Sequence, residues 1–250
     1  MPREDMWSEP FKTMVVMGES TVEGGPWLQR KEERWADVLA RLIQQCQETP
    51  LRYYNKGIGA NAISPRSPGY EKSIKPSALE RYRRDVIELE PDLFILAYGL
   101  NDMRAGMDVK EFSEDMESII RDVKEACAPL TVLTTVYYMT GWRSYPPYDR
   151  GGPQLAREYN EAIRRIGERN RCIVSDVWDA EGEADWLVNP DGVHANTVGN
   201  LVIAHRVFRD IAVNCSCLTS SYFARMMGTK WVRDTTAQRE RDGDPYRKTW

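Results

Sequence analysis

The sequence predicts an α/β fold, a five-stranded parallel sheet with helices on both faces. Five short apolar runs recur between residues 13 and 177, and amphipathic stretches with apolar residues at helical spacing alternate with them. Strands separated by helices are joined by crossovers, and crossovers build a parallel sheet covered on two sides. With 250 residues, 42% of them hydrophobic, the chain is long enough for one large core.

In chain order, Thr13 to Met17 reads as a short buried strand. Trp35 to Gln45 reads as a helix with Trp35, Val38, Leu39 and Leu42 on one face. Leu51 to Tyr54 is the second strand. A helix over Ser77 to Glu90 stops before Pro91, because proline disfavours helical geometry in the residue before it. Leu93 to Tyr98 is the third and most apolar strand. Asp108 with Glu111 has the spacing of a capping box and opens a helix to about Ala126. Leu130 to Tyr137, rich in Thr and Val, is the fourth strand, and Pro153 to Asn170 is helical. Cys172 to Val177 is the fifth strand, and Thr197 to Val213 the last amphipathic helix.

The organisation expected is a catalytic-type domain over residues 1–218 and a polar extension over 219–250. Tyr222, Phe223, Trp231 and Trp250 suggest that the extension packs on the domain or on a partner subunit, a route to a homo-oligomer. The loop from Thr140 to Gly152 is long and carries Trp142, Arg143, Tyr145 and Tyr148. Loops of that length are often functional.

Charge and cysteine content exclude several classes. The 34 basic and 38 acidic residues give a net charge of −4 with no basic block, so nucleic acid is not an expected partner. No run approaches the length of a membrane helix, and the charged start Met1-Pro2-Arg3-Glu4-Asp5 does not resemble a signal peptide. The odd, scattered set Cys46, Cys127, Cys172, Cys215 and Cys217 fits reduced thiols and a cytoplasmic location. The Cys215-Ser216-Cys217 pair lacks further ligands nearby, so no metal site is expected.

The candidate chemistry begins with the scarcity of histidine. The chain has only two, His194 and His205, so a general base acting near neutral pH must be one of them. His205 shares its helical spacing with Leu201, Ala204 and Phe208 and reads as structural. His194 follows Asp191 by three residues, close enough for the carboxylate to orient the ring. At the other end of the chain, the apolar run Val15-Val16-Met17 leads into Gly18-Glu19-Ser20. A serine hydroxyl is a poor nucleophile until a base removes its proton, and the resulting oxyanion needs donors aimed at it. Ser20, His194 and Asp191 can supply nucleophile, base and orienting acid. Donors are available from the Ser20 N–H, the Asn55 to Asn61 turn and the Asn101 amide. Ser20, Gly57 to Asn61 and Asn101 all fall just after strands, where open α/β sheets bind ligands.

These blocks resemble the SGNH hydrolases, or GDSL-type esterases and lipases. Gly18-Glu19-Ser20, Asn55 to Asn61, Gly99-Leu100-Asn101-Asp102 and Asp191-Gly192-Val193-His194 stand in the family's order over residues 13 to 213. The resemblance implies a flavodoxin-like three-layer α/β/α sandwich and a serine ester hydrolase working through an acyl-serine, with no cofactor. It assigns Ser20, Asp191 and His194 to catalysis. It assigns the oxyanion hole to Ser20, Asn101 and Ala60, with Gly59 the second choice after Ala60. Two positions depart from the family: Glu19 stands where Asp is usual, and Ala60 where glycine is usual. They make a catalytically silent binding protein an alternative; a third reading is an acyltransferase, in which an acceptor sugar replaces water. Trp142, Arg143 and Tyr148, with Trp186 before the last block, suit a sugar ring. The expected substrate is accordingly a short-chain ester, such as an O-acetylated carbohydrate.

Overall fold

The computed structural model describes residues 4–242. The five strands are β1 (Thr13–Gly18), β2 (Arg52–Gly57), β3 (Leu93–Ala97), β4 (Leu130–Thr134) and β5 (Ile173–Ser175). All pair in parallel, in the order β2-β1-β3-β4-β5. The helices through the middle of the chain are α1 (Ser20–Glu23), α2 (Trp35–Cys46), α3 (Tyr70–Ser73), α4 (Ala78–Asp85), α5 (Leu100–Ala105) and α6 (Val109–Cys127). They are followed by α7 (Pro153–Arg169), α8 (Val177–Glu181), α9 (Thr197–Ala212), α10 (Ser216–Met227) and α11 (Lys230–Asp242). Helices α2 and α9 pack together in one layer, and α4, α6 and α7 pack in succession in the other.

The central strands are apolar because both of their faces are covered. Met14 to Met17 of β1 and Leu93 to Leu96 of β3 are fully buried. Edge strand β2 is only half buried, which explains its polar sequence Arg-Tyr-Tyr-Asn-Lys-Gly. It runs three residues beyond the apolar stretch that marks it in the sequence, since its pairing with β1 continues to Gly18 and Gly57. Trp35, Val38 and Leu39 of α2 enter the core as expected, while Leu42 is half buried.

Three other element limits and the place of the capping box differ from the sequence reading. The helix expected over Ser77 to Glu90 ends at Asp85, and a 3₁₀ turn over Ile87–Leu89 follows. Glu90, in the left-handed region at φ 46°, then turns the chain into Pro91. The reciprocal capping box lies at this helix, between Ser77 and Glu80. At α6 the Asp108 carboxylate accepts from the N–H groups of Lys110 and Glu111, a one-sided cap. Strand β4 stops at Thr134 instead of Tyr137 because the Asn160 side chain takes both backbone groups of Val136, at 2.8 and 3.1 Å. Strand β5 is three residues long, because Asp176 caps α8 immediately after it.

Among the described residues beyond 218, all but Gly228 and Thr229 lie in the helices α10 and α11. The N-terminal segment holds α10 in place: Asp5 accepts from the Ser216 N–H at 2.8 Å, and Cys217 and Leu218 are buried in the core. Arg225 of α10 also donates to the Gln45 carbonyl of α2. Phe223 is exposed. The side chains of Tyr222 and Trp231 and all of Trp250 lie outside the described residues. No helix among the described residues is long and apolar enough to cross a membrane.

Candidate active site

The strand order reverses at β1: the chain crosses over first to β2 on one side of it and then to β3 on the other. A crevice opens at the carboxyl ends of strands at such a point. Three of the predicted groups arrive there from three strands. Ser20 opens α1 two residues after β1, Ala60 follows β2 by three residues, and Asn101 stands in the first turn of α5. The fourth block comes from the chain segment before α9. There a short antiparallel bridge, Val188 to Ala195, closes a loop in which the Asn189 N–H donates to the His194 carbonyl at 2.8 Å.

The loop sets His194 against Ser20. Nε2 of His194 lies 2.9 Å from Ser20 Oγ, and Nδ1 lies 2.7 Å from Asp191 Oδ2. The other oxygen of Asp191 accepts the backbone N–H groups of Val193 and His194, at 2.8 and 2.9 Å, so the carboxylate cannot swing away from the ring. These bonds hold Asp191 below the ordinary carboxylate value despite partial burial. Burial holds His194 below the ordinary imidazole value; Asp191 opposes the shift and the charge of Arg104 adds to it. A neutral imidazole between a hydroxyl and a carboxylate can withdraw the hydroxyl proton. His205 is exposed on α9.

The two departures from the family pattern have distinct structural consequences. Glu19 does not cap α1. Its buried carboxylate crosses to the end of β3 and accepts the N–H groups of Gly99 at 3.1 Å and Asn101 at 3.3 Å. The extra methylene thus ties the Ser20 turn to the Asn101 turn. Burial, with the nearby Asp102, pushes the Glu19 carboxyl well above its usual value. Ala60 sits at φ 55°, a left-handed conformation that glycine adopts without strain. Among the described residues its N–H has no acceptor, whereas the Gly59 N–H is taken by the Glu23 carboxylate at 2.6 Å. Gly59 is therefore not a free donor. Asn101 gives one amide hydrogen to the Asn61 carbonyl at 3.1 Å and retains a second for a ligand. Asp102 braces the same loop by accepting the Ile63 N–H, and burial raises its carboxyl to about 7.

Close approach of backbones holds the edge together. A Cβ on Gly57 would stand 2.1 Å from the Glu23 nitrogen, so only glycine lets β2 end against α1. Asn55 clasps the same junction, donating to the Val22 carbonyl at 2.7 Å and accepting from the Gly57 N–H at 2.9 Å.

The cleft around Ser20, about 520 Å³, differs from the expected one in its walls. Tyr148 lines it, joined by Tyr145, Ser144, Arg104 and Trp27. Trp142 and Arg143 do not. Trp142 packs against Trp178 and Tyr138, with ring centroids 5.4 and 6.1 Å away, and Arg143 Nε donates to the Gly151 carbonyl at 3.1 Å. An indole on a loop finds either a ligand or an aromatic neighbour; here Trp178 of α8 takes it. Trp186 is exposed and also stands outside the cleft wall. The aromatic contact missing from the sequence reading is Trp27. Its ring lies parallel over His194, 3.6 Å between centroids and 8° between planes. Trp27 stands in no recognisable motif; only its place two residues after Gly24-Gly25, near Ser20, marked it. Arg104, one helical turn beyond Asn101, has a signal in the sequence, since that spacing brings it to the same side of α5 as the Asn101 amide.

The sequence model of the GDSL-like lipase/acylhydrolase family matches residues 16–202, three-quarters of the chain and all four blocks. The chain belongs to this family. Solved structures agree with that membership in fold. The lipase/acylhydrolase from Enterococcus faecalis shares 20% identity, with a TM-score of 0.62 over 80% of this chain and 95% of its own. The acetylxylan esterase from Geobacillus stearothermophilus shares 20%, with a TM-score of 0.61 over 83% of this chain and 96% of its own. An α/β hydrolase from the metagenome of Lake Arreo, Spain, shares 18%, with a TM-score of 0.63 over 83% and 98%. No curated protein matches the chain in sequence. As a GDSL-type hydrolase fold, the chain carries its polar groups at the sheet edge without a metal-binding cluster of His, Cys, Asp or Glu among the described residues.

Proposed function

We propose that this GDSL-type hydrolase is a serine esterase that acts through an acyl-serine intermediate. The observation that carries this reading is the continuous relay from Ser20 Oγ through His194 to Asp191. Ser20 Oγ attacks the ester carbonyl while its proton passes to His194 Nε2. The oxyanion meets the N–H groups of Ser20 and Ala60 and the free amide hydrogen of Asn101. Collapse expels the alcohol, which takes the proton from His194. Water, activated by the same imidazole, then attacks the acyl-serine and releases the acid.

Short acyl groups fit best. The cleft wall has Trp27, Tyr145, Tyr148, Pro26 and Val193 but no Leu, Ile or Phe, a poor lining for a long acyl chain. Aromatic rings at the mouth favour an alcohol with a stackable ring, such as a sugar. That support comes from Trp27, Tyr145 and Tyr148 in place of Trp142 and Arg143. An ester panel from acetyl to octanoyl, with labelling by a fluorophosphonate, tests the reading. Turnover of acetyl esters and label on Ser20, both absent in Ser20→Ala, are expected. No label and no turnover would favour a silent binding protein; label with transfer to an added sugar instead of water would make it an acyltransferase.

A further inference from the structure

Arg104 lies in the cleft wall, one turn along α5 from Asn101, and is only 7% exposed. Among the described residues no carboxylate pairs with it. Its Nη2 donates to Ser144 Oγ at 2.9 Å, its guanidinium sits 5.7 Å from the Tyr148 ring centroid, and its buried Nε has no acceptor. Arg81, as deeply buried and likewise without an acceptor at Nε, differs in having a counter-ion, Asp85 at 2.9 Å. A desolvated guanidinium without a counter-ion is costly, so a protein that keeps one in a cleft wall leaves a place for an anion.

The acids nearby do not fill that place. Asp191 is held by His194 and two backbone N–H groups, and Glu23 by the Gly59 N–H. Glu19 is turned to the N–H groups of Gly99 and Asn101 and makes no salt bridge to Arg104, whose charge only partly offsets the burial and the Asp102 repulsion that raise its carboxyl.

We propose that Arg104 binds an ionised carboxylate carried by the ester itself, so that the preferred substrates are acidic esters. Arg104 stands three residues along α5 from Asn101, so the two side chains leave the helix on one side with Cβ atoms about 5–6 Å apart. Such a substrate presents its carboxylate either on the acyl side, as in a dicarboxylic half-ester, or on the alcohol side, as in an acetylated uronic acid. This inference rests on the esterase reading of Ser20.

Matched pairs of esters separate the two sides. 4-Nitrophenyl hemisuccinate is compared with 4-nitrophenyl butyrate, and an O-acetylated uronic acid with its methyl ester, at one ionic strength. The ratio of kcat/KM, anionic over neutral, does not depend on the fraction of folded enzyme. In the wild type one pair should give a ratio of about 10 to 100, the size of a charge-assisted hydrogen bond pair. Arg104→Gln should bring it near one, and Arg104→Lys should keep part of it. A wild-type ratio at or below one in both pairs would overturn the proposal, as would a high ratio that survives in Arg104→Gln. A binding measurement keeps this apart from the esterase reading. Calorimetry on Ser20→Ala protein should show monomethyl succinate binding more tightly than dimethyl succinate, and the preference should vanish on adding Arg104→Gln. Preference without label on Ser20 would sink the esterase reading alone; label on Ser20 without preference would sink the anion site alone.

Discussion

At the scale of single residues, the site depends on groups whose value lies in each other. Ser20 and His194 form one proton relay, so Ser20→Ala and His194→Ala should each reduce kcat by about 10⁴ to 10⁶, and the double variant should be scarcely worse. Losses that multiplied in the double variant would show that the two residues act apart. The Asn101 amide meets charge only as it develops, so Asn101→Ala should lower kcat by about 10² to 10³ with little change in KM. Trp27 acts on the base itself. Its ring covers His194, and burial is the main reason that this imidazole resists protonation. In the wild type, kcat/KM should therefore rise with pH through a pKa below about 6.5, the ordinary imidazole value. Trp27→Ala admits water and should move that limb upward toward 6.5. The attraction of the ring for the imidazolium works the other way, but at about 0.5–1 kcal/mol it is worth less than one pKa unit. A downward shift in Trp27→Ala would show that the attraction dominates.

At the scale of elements, three strand-end turns and one loop must hold their relative positions. Ala60 at φ 55° shows how the backbone does this: Ala60→Gly relieves strain and keeps the N–H, and should leave kcat within a few-fold. Ala60→Pro removes the donor and cannot reach a positive φ, and its kcat should drop severely. Equal rates for both would mean that residue 60 donates nothing. The loop over residues 140–152 has a divided role. Ser144, Tyr145 and Tyr148 face the cleft, while Trp142 stacks away from it on Trp178. Trp142→Ala should lower Tm and reduce activity on an aryl acetate and on an acetylated sugar by similar factors. A loss confined to the sugar would place the ring on the substrate after all.

At the scale of the whole molecule, the buried acids link stability to pH. Asp102 is raised to about 7 and Glu181 to about 8 by burial, and Glu19 is raised as well. A carboxyl whose folded pKa exceeds its unfolded value stabilises fully below the unfolded value, near 4, and the contribution is lost as pH rises to the folded value. His194, held below its ordinary value, has the opposite sign near pH 6 but is a single group. Tm should thus fall between pH 5 and pH 8. Glu181, which accepts the Tyr138 N–H through one oxygen and leaves the other unbonded, isolates the effect. Glu181→Gln keeps an acceptor but cannot ionise, so its Tm should fall less over that interval, each kcal/mol being worth about 2–4 °C in a chain of this size. Parallel curves for the two proteins would show that Glu181 does not titrate there.

Periodicity and position alone determined the order of strands and helices, because apolar runs covered on both faces cannot be mistaken for surface. They also placed Ser20, Ala60 and Asn101 just past strand ends, and marked Asp191 and His194 by spacing and by the rarity of histidine. Element ends were less legible, since a distant side chain decides them: Asn160 stops β4 by taking both groups of Val136. The walls of the cleft were decided only by tertiary structure. Whether an aromatic or an arginine meets solvent, a neighbour or a ligand depends on what packs beside it. Trp178 draws Trp142 away, Glu23 occupies the Gly59 N–H, and the turn after Gly25 lays Trp27 over His194. Those partners stand 36 to 167 residues apart in the chain, beyond the reach of any local pattern.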